Sequence, residues 1–190
     1  MVKMAFVVEG KVEKIFIDYL RTSGWLETKG ITQVGPTIDA KGGGNLCPKN
    51  ISVYIDQAKV FQPQSILILT DLECDPCVTL TKIRIGDCDI CSIVVAKKAI
   101  EAWFLADDFI VEKLTDTAIK QYETPEITEE MPYETIKAMM KNHTGRGSGS
   151  KVALAKKVMK LGFNINRSAT HSDCLSARYF VEKISDIGHE

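Results

Sequence analysis

The chain has 190 residues, of which 45% are hydrophobic and 26% are charged, and its formal net charge is -1. This is the composition of an ordinary globular protein with one substantial core. The near-zero net charge excludes a positive field over the whole protein that would attract nucleic acid or membrane, so any polyanion must bind at a local basic patch. No apolar run reaches the roughly 18 residues of a membrane span, and the N-terminal apolar run is too short for a signal peptide. We therefore expect a cytoplasmic protein with no membrane contact.

The first predicted elements are a strand, a tight turn and a helix. Residues 1–8 are apolar and β-branched, Glu9-Gly10 follows at once, and apolar residues recur at helical spacing from about 12 to 23. The expected inner face of this helix consists of Ile15, Phe16, Tyr19 and Leu20. A weaker strand is predicted over 31–38, broken at Gly35-Pro36, then a KGGGN loop at 41–45 and a helix over 51–61. This order is typical of the opening of an α/β domain.

The stretch 65–75, SILILTDLECD, predicts the central strand. Four apolar residues run without interruption into Thr70, Asp71, Glu73 and Asp75, as expected of a strand that is buried on both faces and ends in an acidic loop. A short helix with Pro76 in its first turn is predicted to reach about residue 85, and a further buried strand covers 91–96. The motif IEAWFL follows at 100–105.

The C-terminal part predicts helices joined by polar segments. Residues 115–132 are acidic and proline-containing, which favours an insertion or flexible connector. Helices are predicted over 133–141, 151–161 and 175–184, the last with Leu175, Tyr179, Phe180 and Ile184 facing inward. We expect a core domain over 1–112 and a helical extension over 113–190 that packs on it.

Acidic residues follow three of the predicted strands. Glu9 follows the first, Asp71 and Glu73 follow the central strand, and Glu101 comes shortly after the third. Ligands of open α/β sheets bind beyond the carboxyl ends of the strands, and Mg²⁺ prefers one or two carboxylates together with water and substrate phosphate. Clustered acids repel one another unless a cation neutralises them. The sequence therefore predicts a Mg²⁺ site of the kind that supports phosphodiester cleavage.

Three motifs carry a resemblance to a known family: VVEGKVEKIF at 7–16, LTDLECD at 69–75 and IEAWFLAD at 100–107. Their order resembles a family of small uncharacterised bacterial TOPRIM-like proteins, related in fold to the nuclease half of OLD proteins and more distantly to primase and topoisomerase TOPRIM domains. The resemblance covers about the first 110 residues and returns more faintly near the C-terminus. It implies a TOPRIM-like, Rossmann-like, mostly parallel sheet flanked by helices.

The resemblance also implies roles for individual residues. Glu9 takes the place of the TOPRIM glutamate, a general acid or base or a metal ligand, while Asp71 and Glu73 take the place of the DxD pair that holds Mg²⁺. Glu101 is then an additional acid, and Lys98 is a counter-charge or phosphate contact. Glu73 stands where aspartate is usual, and Ala99 stands where relatives carry a further acid.

These observations predict a nuclease that depends on Mg²⁺ or Mn²⁺ and acts on DNA or RNA. By resemblance alone, an ATPase partner in a phage-defence system is also implied. The alternative is a non-catalytic TOPRIM-like module that binds nucleic acid or protein, with or without a structural Zn²⁺ site. The composition does not set the oligomeric state.

The cysteines allow a second metal prediction. Cys74-x-x-Cys77 and Cys88-x-x-Cys91 have the spacing of a small zinc site. Against this, Cys74 lies in the acidic loop and Cys91 opens a buried strand, so four thiolates would have to converge beside the Mg²⁺ site. The other interpretation is that they are buried small side chains. In either case a cytoplasmic location favours reduced cysteines over a disulfide framework for all six.

The remaining predictions concern basic and aromatic residues. Arg146 and Lys151 flank a glycine and serine loop before a basic helix, which predicts either a phosphate contact or a solvated helix face. Trp103 is an alternative base-stacking platform, but the apolar residues beside it favour burial in the core. His143 and His171 lie in polar loops, where exposure is the default expectation.

Overall fold

A computed structural model describes residues 1–73, 75–118 and 121–189 of the chain. Two compact units are present: the first comprises Met1–Val95 with the C-terminal residues from 182 onward, and the second comprises Ala96–Val181. In chain order the described elements are β1 (Val2–Val8), α1 (Lys11–Thr22), α2 (Trp25–Thr28), β2 (Ile31–Gln33), β3 (Ile38–Asp39), a 3-10 turn (Gly43–Asn45), α3 (Ile51–Lys59), β4 (Ser65–Asp71), α4 (Val78–Ile85), β5 (Cys91–Ala96), α5 (Glu101–Leu105), α6 (Asp108–Thr115), a second 3-10 turn (Pro125–Ile127), α7 (Pro132–Thr144), α8 (Lys151–Lys160), α9 (Ile165–Thr170) and α10 (Leu175–Gly188).

The described strands form one five-stranded sheet, in the order β2-β1-β4-β5 with β3 also paired to β1. β1 pairs in parallel with β2, β3 and β4, and Val8 lies opposite Leu69 in the last of these pairs. β2 and β3 are the two halves of the predicted strand 31–38. The break includes Gly35, whose φ is +69° and whose added Cβ would lie 2.4 Å from the Phe61 ring, so only glycine fits there. The predicted α/β class with a parallel sheet is confirmed.

The central strands are buried on both faces, as their uninterrupted apolar sequences predict. Ala5 and Val7 of β1 belong to a buried cluster with residues of β4 and α3, while Met4, Phe6 and Val8 point to the opposite face by strand alternation. The predicted inner face of α1 is right for Phe16 and Leu20, which are buried; Ile15 and Tyr19 are only half-buried. Burying both faces leaves the strand ends as the place where polar side chains emerge.

The second unit is helical and is centred on aromatic residues. Trp103 is fully buried, its ring centroid lies 5.3 Å from that of Phe180, and its Nε1 donates to Ser176 Oγ at 2.8 Å. Phe104 and Phe163 pack edge to face with their centroids 5.2 Å apart. The preference for Trp103 as a core residue is therefore confirmed.

The acidic segment before α7 differs from the predicted flexible connector over 115–132. Residues 119 and 120 lie outside the described residues, but Pro125 and Glu126 are buried. Glu126 Oε1 accepts hydrogen bonds from the backbone N of Ser176 at 2.7 Å and from its Oγ at 2.5 Å. A buried carboxylate with two donors anchors this segment in the second unit.

Two further expectations differ in detail. The inward face predicted for the last helix is right for Phe180 and Ile184, but Leu175 is 56% exposed and Tyr179 41% exposed. His171 is buried rather than exposed. Its Nε2 lies 2.8 Å from the carbonyl oxygen of Tyr122, and its Nδ1 accepts from the backbone N of Asp173 at 3.0 Å. It is therefore a satisfied structural histidine.

The predicted domain boundary at residue 112 falls within α6, inside the second unit, whereas the two units divide after Val95. A functional division into core and extension stays a prediction. No helix in the part of the chain that the structure describes is both long enough and apolar enough to cross a membrane.

Candidate functional site

Glu9 and Asp71 lie side by side at one edge of the sheet. Glu9 directly follows β1 and Asp71 ends β4; since these strands are parallel neighbours, their carboxyl ends meet at the same edge. The backbone N of Glu9 continues the ladder by donating to the carbonyl oxygen of Leu69 at 2.9 Å. Glu9 is 9% exposed and Asp71 7% exposed, so both carboxylates are largely shielded from water.

The Glu9 carboxylate is held by β4. Its Oε2 accepts a hydrogen bond of 2.5 Å from Thr70 Oγ1 and another of 3.0 Å from the backbone N of Asp71. Thr70 is fully buried, so its hydroxyl has no competing bulk water. The sequence analysis assigned no role to Thr70, although a hydroxyl at the end of an otherwise apolar strand is a signal that could identify one.

A cleft of about 240 Å³ opens beside these two carboxylates and contains the three acids predicted as metal ligands. Glu73 is exposed and has a φ of 45°, in the left-handed region, where the chain leaves β4. The structure thus brings Glu9, Asp71 and Glu73 to one cleft. Its lining residues are Glu9, Gly43, Gly44, Asp71, Leu72, Glu73, Asp75 and Arg84.

Asp75 and Arg84 form an ion pair on the same cleft. Arg84 Nε and Nη2 donate to Asp75 Oδ2 at 3.1 and 2.9 Å, and Thr81 Oγ1 donates to the same oxygen at 2.8 Å. The Arg84 guanidinium and then the Thr81 hydroxyl lower the pKa of the Asp75 carboxyl, because both stabilise its charged form. Sequence reasoning did not single out this pair, since nothing in the sequence spacing joins Asp75 to a cation on α4.

The KGGGN segment, predicted as a loop, lies directly against Glu9. Gly42 N donates to the carbonyl oxygen of Glu9 at 2.8 Å. A Cβ added to Gly43 would lie 3.0 Å from Glu9 Oε1, which is tighter than ordinary side-chain contact. This segment therefore forms one wall of the cleft, a role that the sequence analysis did not assign.

The carboxylates of this cleft fit a hard divalent cation by their chemistry. Mg²⁺ takes oxygen ligands and needs only one or two protein carboxylates, and Glu9 and Asp71 place two at adjacent strand ends. Within residues 1–73, 75–118 and 121–189, no group of three or more His, Cys, Asp or Glu side chains is arranged to hold an ion. The Mg²⁺ or Mn²⁺ site with Glu9, Asp71 and Glu73 as ligands stays a prediction.

Glu101 and Lys98 belong to the second unit. Glu101 begins α5 and is 1% exposed. Lys98 has a φ of 68°, and its Nζ donates to the carbonyl oxygens of Thr128 and Glu129, the second at 3.2 Å. The lysine thus contacts the segment before α7 within its own unit. The predicted roles of Glu101 as a further site acid and of Lys98 as a phosphate contact stay predictions.

The basic loop before α8 is accessible. Arg146 and Lys151 are exposed, and Ser150 caps α8 by accepting from the backbone N of Ala153 at 3.2 Å. The helix N-terminus therefore already has a capping oxygen from its own chain. A substrate contact by Arg146 or Lys151 stays a prediction.

The cysteines differ from the expected reduced state in one pair. Cys88 and Cys91 form a disulfide with their Cα atoms 5.1 Å apart, within the range that such a bond spans. Zinc binds thiolates, so the predicted four-cysteine site requires this pair to be reduced. Cys77 is exposed and free, and Cys74 lies outside the described residues. The Zn²⁺ site stays a prediction.

Known proteins offer only a distant similarity to this chain. No family model matches the chain, and no curated protein matches it. Among solved structures it is similar to the C-terminal region of the Burkholderia pseudomallei OLD protein, with a TM-score of 0.47 and 14% sequence identity over 97% of this chain and 99% of that chain. At this distance, function has to be inferred from the cleft of this chain.

Proposed function

We propose that this chain is a metal-dependent phosphodiester hydrolase that acts on DNA or RNA at the cleft beside Glu9 and Asp71. The observation that carries the proposal is the pair of shielded carboxylates of Glu9 and Asp71 at adjacent parallel strand ends. The backbone N of Asp71 donates to Glu9 Oε2 and so holds the Glu9 side chain at the end of β4. Carboxylates so placed face a ligand crevice rather than the bulk surface. The motif resemblance described above points to the same two residues.

Charge balance supports a cation in this cleft. Its described lining includes four carboxylates, those of Glu9, Asp71, Glu73 and Asp75, and one guanidinium, that of Arg84, which is already paired with Asp75. A phosphodiester carries negative charge and is repelled by such a lining unless positive charge is added. Glu9, Asp71 and Glu73 would hold Mg²⁺ or Mn²⁺. Such an ion stabilises the attacking and leaving oxygens in phosphodiester cleavage.

The protein's own contribution is orientation and shielding. Thr70 and the backbone N of Asp71 fix Oε2 of Glu9, and the glycine segment covers the other side of that carboxylate. Glu73, exposed at the mouth of the cleft, is the most accessible of the three acids. We assign Glu9 as the general acid or base or as a ligand beside Asp71, and we assign Glu101 as a supporting acid on the resemblance alone.

The test is cleavage of labelled single- and double-stranded DNA and RNA with Mg²⁺, Mn²⁺ or EDTA. We expect cleavage with a divalent ion, none in EDTA, and a loss of about 100-fold or more in Asp71→Asn, because a charged ligand at the reacting centre is removed. Asp56→Asn, at an exposed position on α3, is the matched control and should retain wild-type activity. Equal activity of Asp71→Asn and wild type would sink the proposal.

The alternative function, a non-catalytic binding module, predicts a different result in the same assay. A chain that binds nucleic acid in gel shifts but cleaves none of the substrates under any ion would support the non-catalytic TOPRIM-like module. The ATPase partner implied by the resemblance is a further proposal, tested by repeating the assay with an ATPase encoded beside this chain and added ATP. Cleavage that requires both components would support that arrangement.

A further inference from the structure

The glycine loop, defined here as residues 41–46, is hydrogen-bonded to the Glu9 backbone and lies close to the Glu9 carboxylate. Gly42 N donates to the Glu9 carbonyl oxygen at 2.8 Å, and an added Cβ on Gly43 would approach Glu9 Oε1 to 3.0 Å and Cδ to 3.1 Å. Gly43 has no positive φ, so the carboxylate contact is what an alanine would meet there. The same test at Gly44 finds nothing within 4 Å. A side chain at position 43 therefore has to displace either the glycine loop or the Glu9 carboxylate.

Arg84 fixes this loop from the other side. Its Nη1 donates to the carbonyl oxygens of Gly43 and Leu46, each at 3.2 Å. Its Nε and Nη2 are held by Asp75 Oδ2, which also accepts from Thr81 Oγ1. The rigid guanidinium thus connects three segments: the glycine loop, the turn after β4, and α4.

We propose that Arg84 and Asp75 form a clamp that presses the glycine loop against Glu9 and so orients the Glu9 carboxylate towards the cleft. Arg84 is then a positioning residue, because its Nε, Nη1 and Nη2 all donate to protein oxygens. The proposal rests on the proposed hydrolase function for its consequence. The clamp itself is a property of the metal-free chain.

The clamp predicts coupling between two substitutions that share no direct side-chain contact. In the wild-type background, Gly43→Ala adds a methyl group beside Glu9. The loop is held by Arg84 and cannot shift to make room, so the Glu9 carboxylate must shift instead. Arg84→Gln frees the loop, and in that background the added methyl is accommodated by the loop instead. The double variant should therefore lose less than the product of the single losses. The exposed Arg21→Gln is the matched control and should behave as wild type. Gly44→Ala is a control only for the structure of the metal-free protein, because Gly44 lines the cleft although its added Cβ meets nothing within 4 Å.

The first readout is the ¹³C signal of the Glu9 side-chain carboxyl in metal-free, labelled protein. We expect Gly43→Ala to shift this signal, Gly44→Ala to leave it unchanged, and the shift to shrink by about half or more once Arg84→Gln is added, as coupled neighbours require. Arg84→Lys, which keeps the charge but not the planar fork, should resemble Arg84→Gln. A shift of the same size with and without Arg84 would overturn the clamp.

The second readout is steady-state cleavage. If Arg84 positions Glu9, we expect Arg84→Gln and Gly43→Ala each to lower kcat about 10- to 100-fold with little change in KM. The reason is that misplacing a reacting group slows the chemical step without weakening substrate binding. Multiplicative losses in the double variant, or a rise in KM alone, would overturn the positioning role. If the wild type cleaves no substrate, the proposed hydrolase function is overturned instead. The comparison of the single and double variants by the Glu9 ¹³C signal would still test the clamp.

Discussion

Thr70 Oγ1 donates a hydrogen bond of 2.5 Å to Glu9 Oε2 across two neighbouring strands of the sheet. Thr70 is fully buried and Glu9 is 9% exposed, so water cannot replace this donor easily. Thr70→Val keeps the side-chain volume and removes the hydroxyl. We expect kcat of cleavage to fall about 10-fold with KM nearly unchanged, since groups that orient a site carboxylate typically contribute 10- to 100-fold.

Thr70→Ser is the matched control for that prediction. Serine retains the donor at the same position, so activity should return to within a few-fold of wild type in the cleavage assay. Wild-type kcat in Thr70→Val would contradict the assigned role of this hydroxyl, and equal loss in the serine variant would assign the effect to packing.

Ser176 is expected to be important for the stability of the second unit. Its Oγ donates to Glu126 Oε1 and accepts from Trp103 Nε1 at 2.8 Å and from the backbone N of Lys97 at 3.1 Å. Ser176→Ala leaves these buried groups without that partner, so we expect a loss of about 1 to 3 kcal/mol in the free energy of unfolding. Denaturant titration measures it; the exposed Ser172→Ala should change stability by less than about 0.5 kcal/mol. Equal stabilities of the two variants would contradict this account.

Asp107, the last residue of the IEAWFLAD motif, has a structural role in the described contacts. It is fully buried and accepts from Arg167 Nε at 2.6 Å, from Arg167 Nη2 at 2.8 Å and from the backbone N of Asn164 at 3.0 Å. Arg167→Lys keeps the charge but loses the two-pronged geometry. Because Arg167 is 39% exposed and solvent screens it, we expect a modest loss of about 1 to 2 kcal/mol in denaturant titration. Arg21→Lys, at an exposed position, should show none.

The free cysteines should differ sharply in reactivity. Cys174 is buried; burial, followed by the nearby Glu126 carboxylate, raises the pKa of its thiol well above the usual value. Fewer thiolates then form at pH 8, and the thiolate is the nucleophile. Iodoacetamide should therefore label exposed Cys77 in the folded protein and Cys174 only after unfolding, as peptide mass spectrometry would show. Labelling of native Cys174 at the rate of Cys77 would contradict the buried placement.

The sequence predicts the elements that depend on local pattern. Uninterrupted apolar runs identify β1, β4 and β5, and the strand-end rule predicts that Glu9, Asp71 and Glu73 lie at one cleft, as they do. The Gly35-Pro36 break between β2 and β3 is equally local. These predictions succeed because burial on both faces of a parallel strand leaves a signature in consecutive residues.

Contacts between distant residues are what the sequence does not predict. The hydrogen bonds from Ser176 to Glu126 join residues 50 positions apart. The local sequence of this proline-containing acidic segment therefore predicts an insertion or flexible connector, although the segment is anchored. Arg84 and Gly43 of the glycine loop are 41 residues apart in the sequence and contact each other only through the tertiary fold. Leu175 and Tyr179 match the helical pattern of an inner face yet remain exposed, because periodicity gives the face of a helix only to within a residue or so.

The central claim is that Glu9 and Asp71 form a divalent-cation site, and the most direct measurement is equilibrium binding of Mn²⁺ followed by electron paramagnetic resonance. Wild type should bind Mn²⁺ and release it to excess Mg²⁺, and Asp71→Asn and Glu9→Gln should each weaken binding about 10-fold or more, while Asp56→Asn binds as wild type. Mn²⁺ binding that is unchanged in both site variants, or absent from the wild type, would contradict the claim.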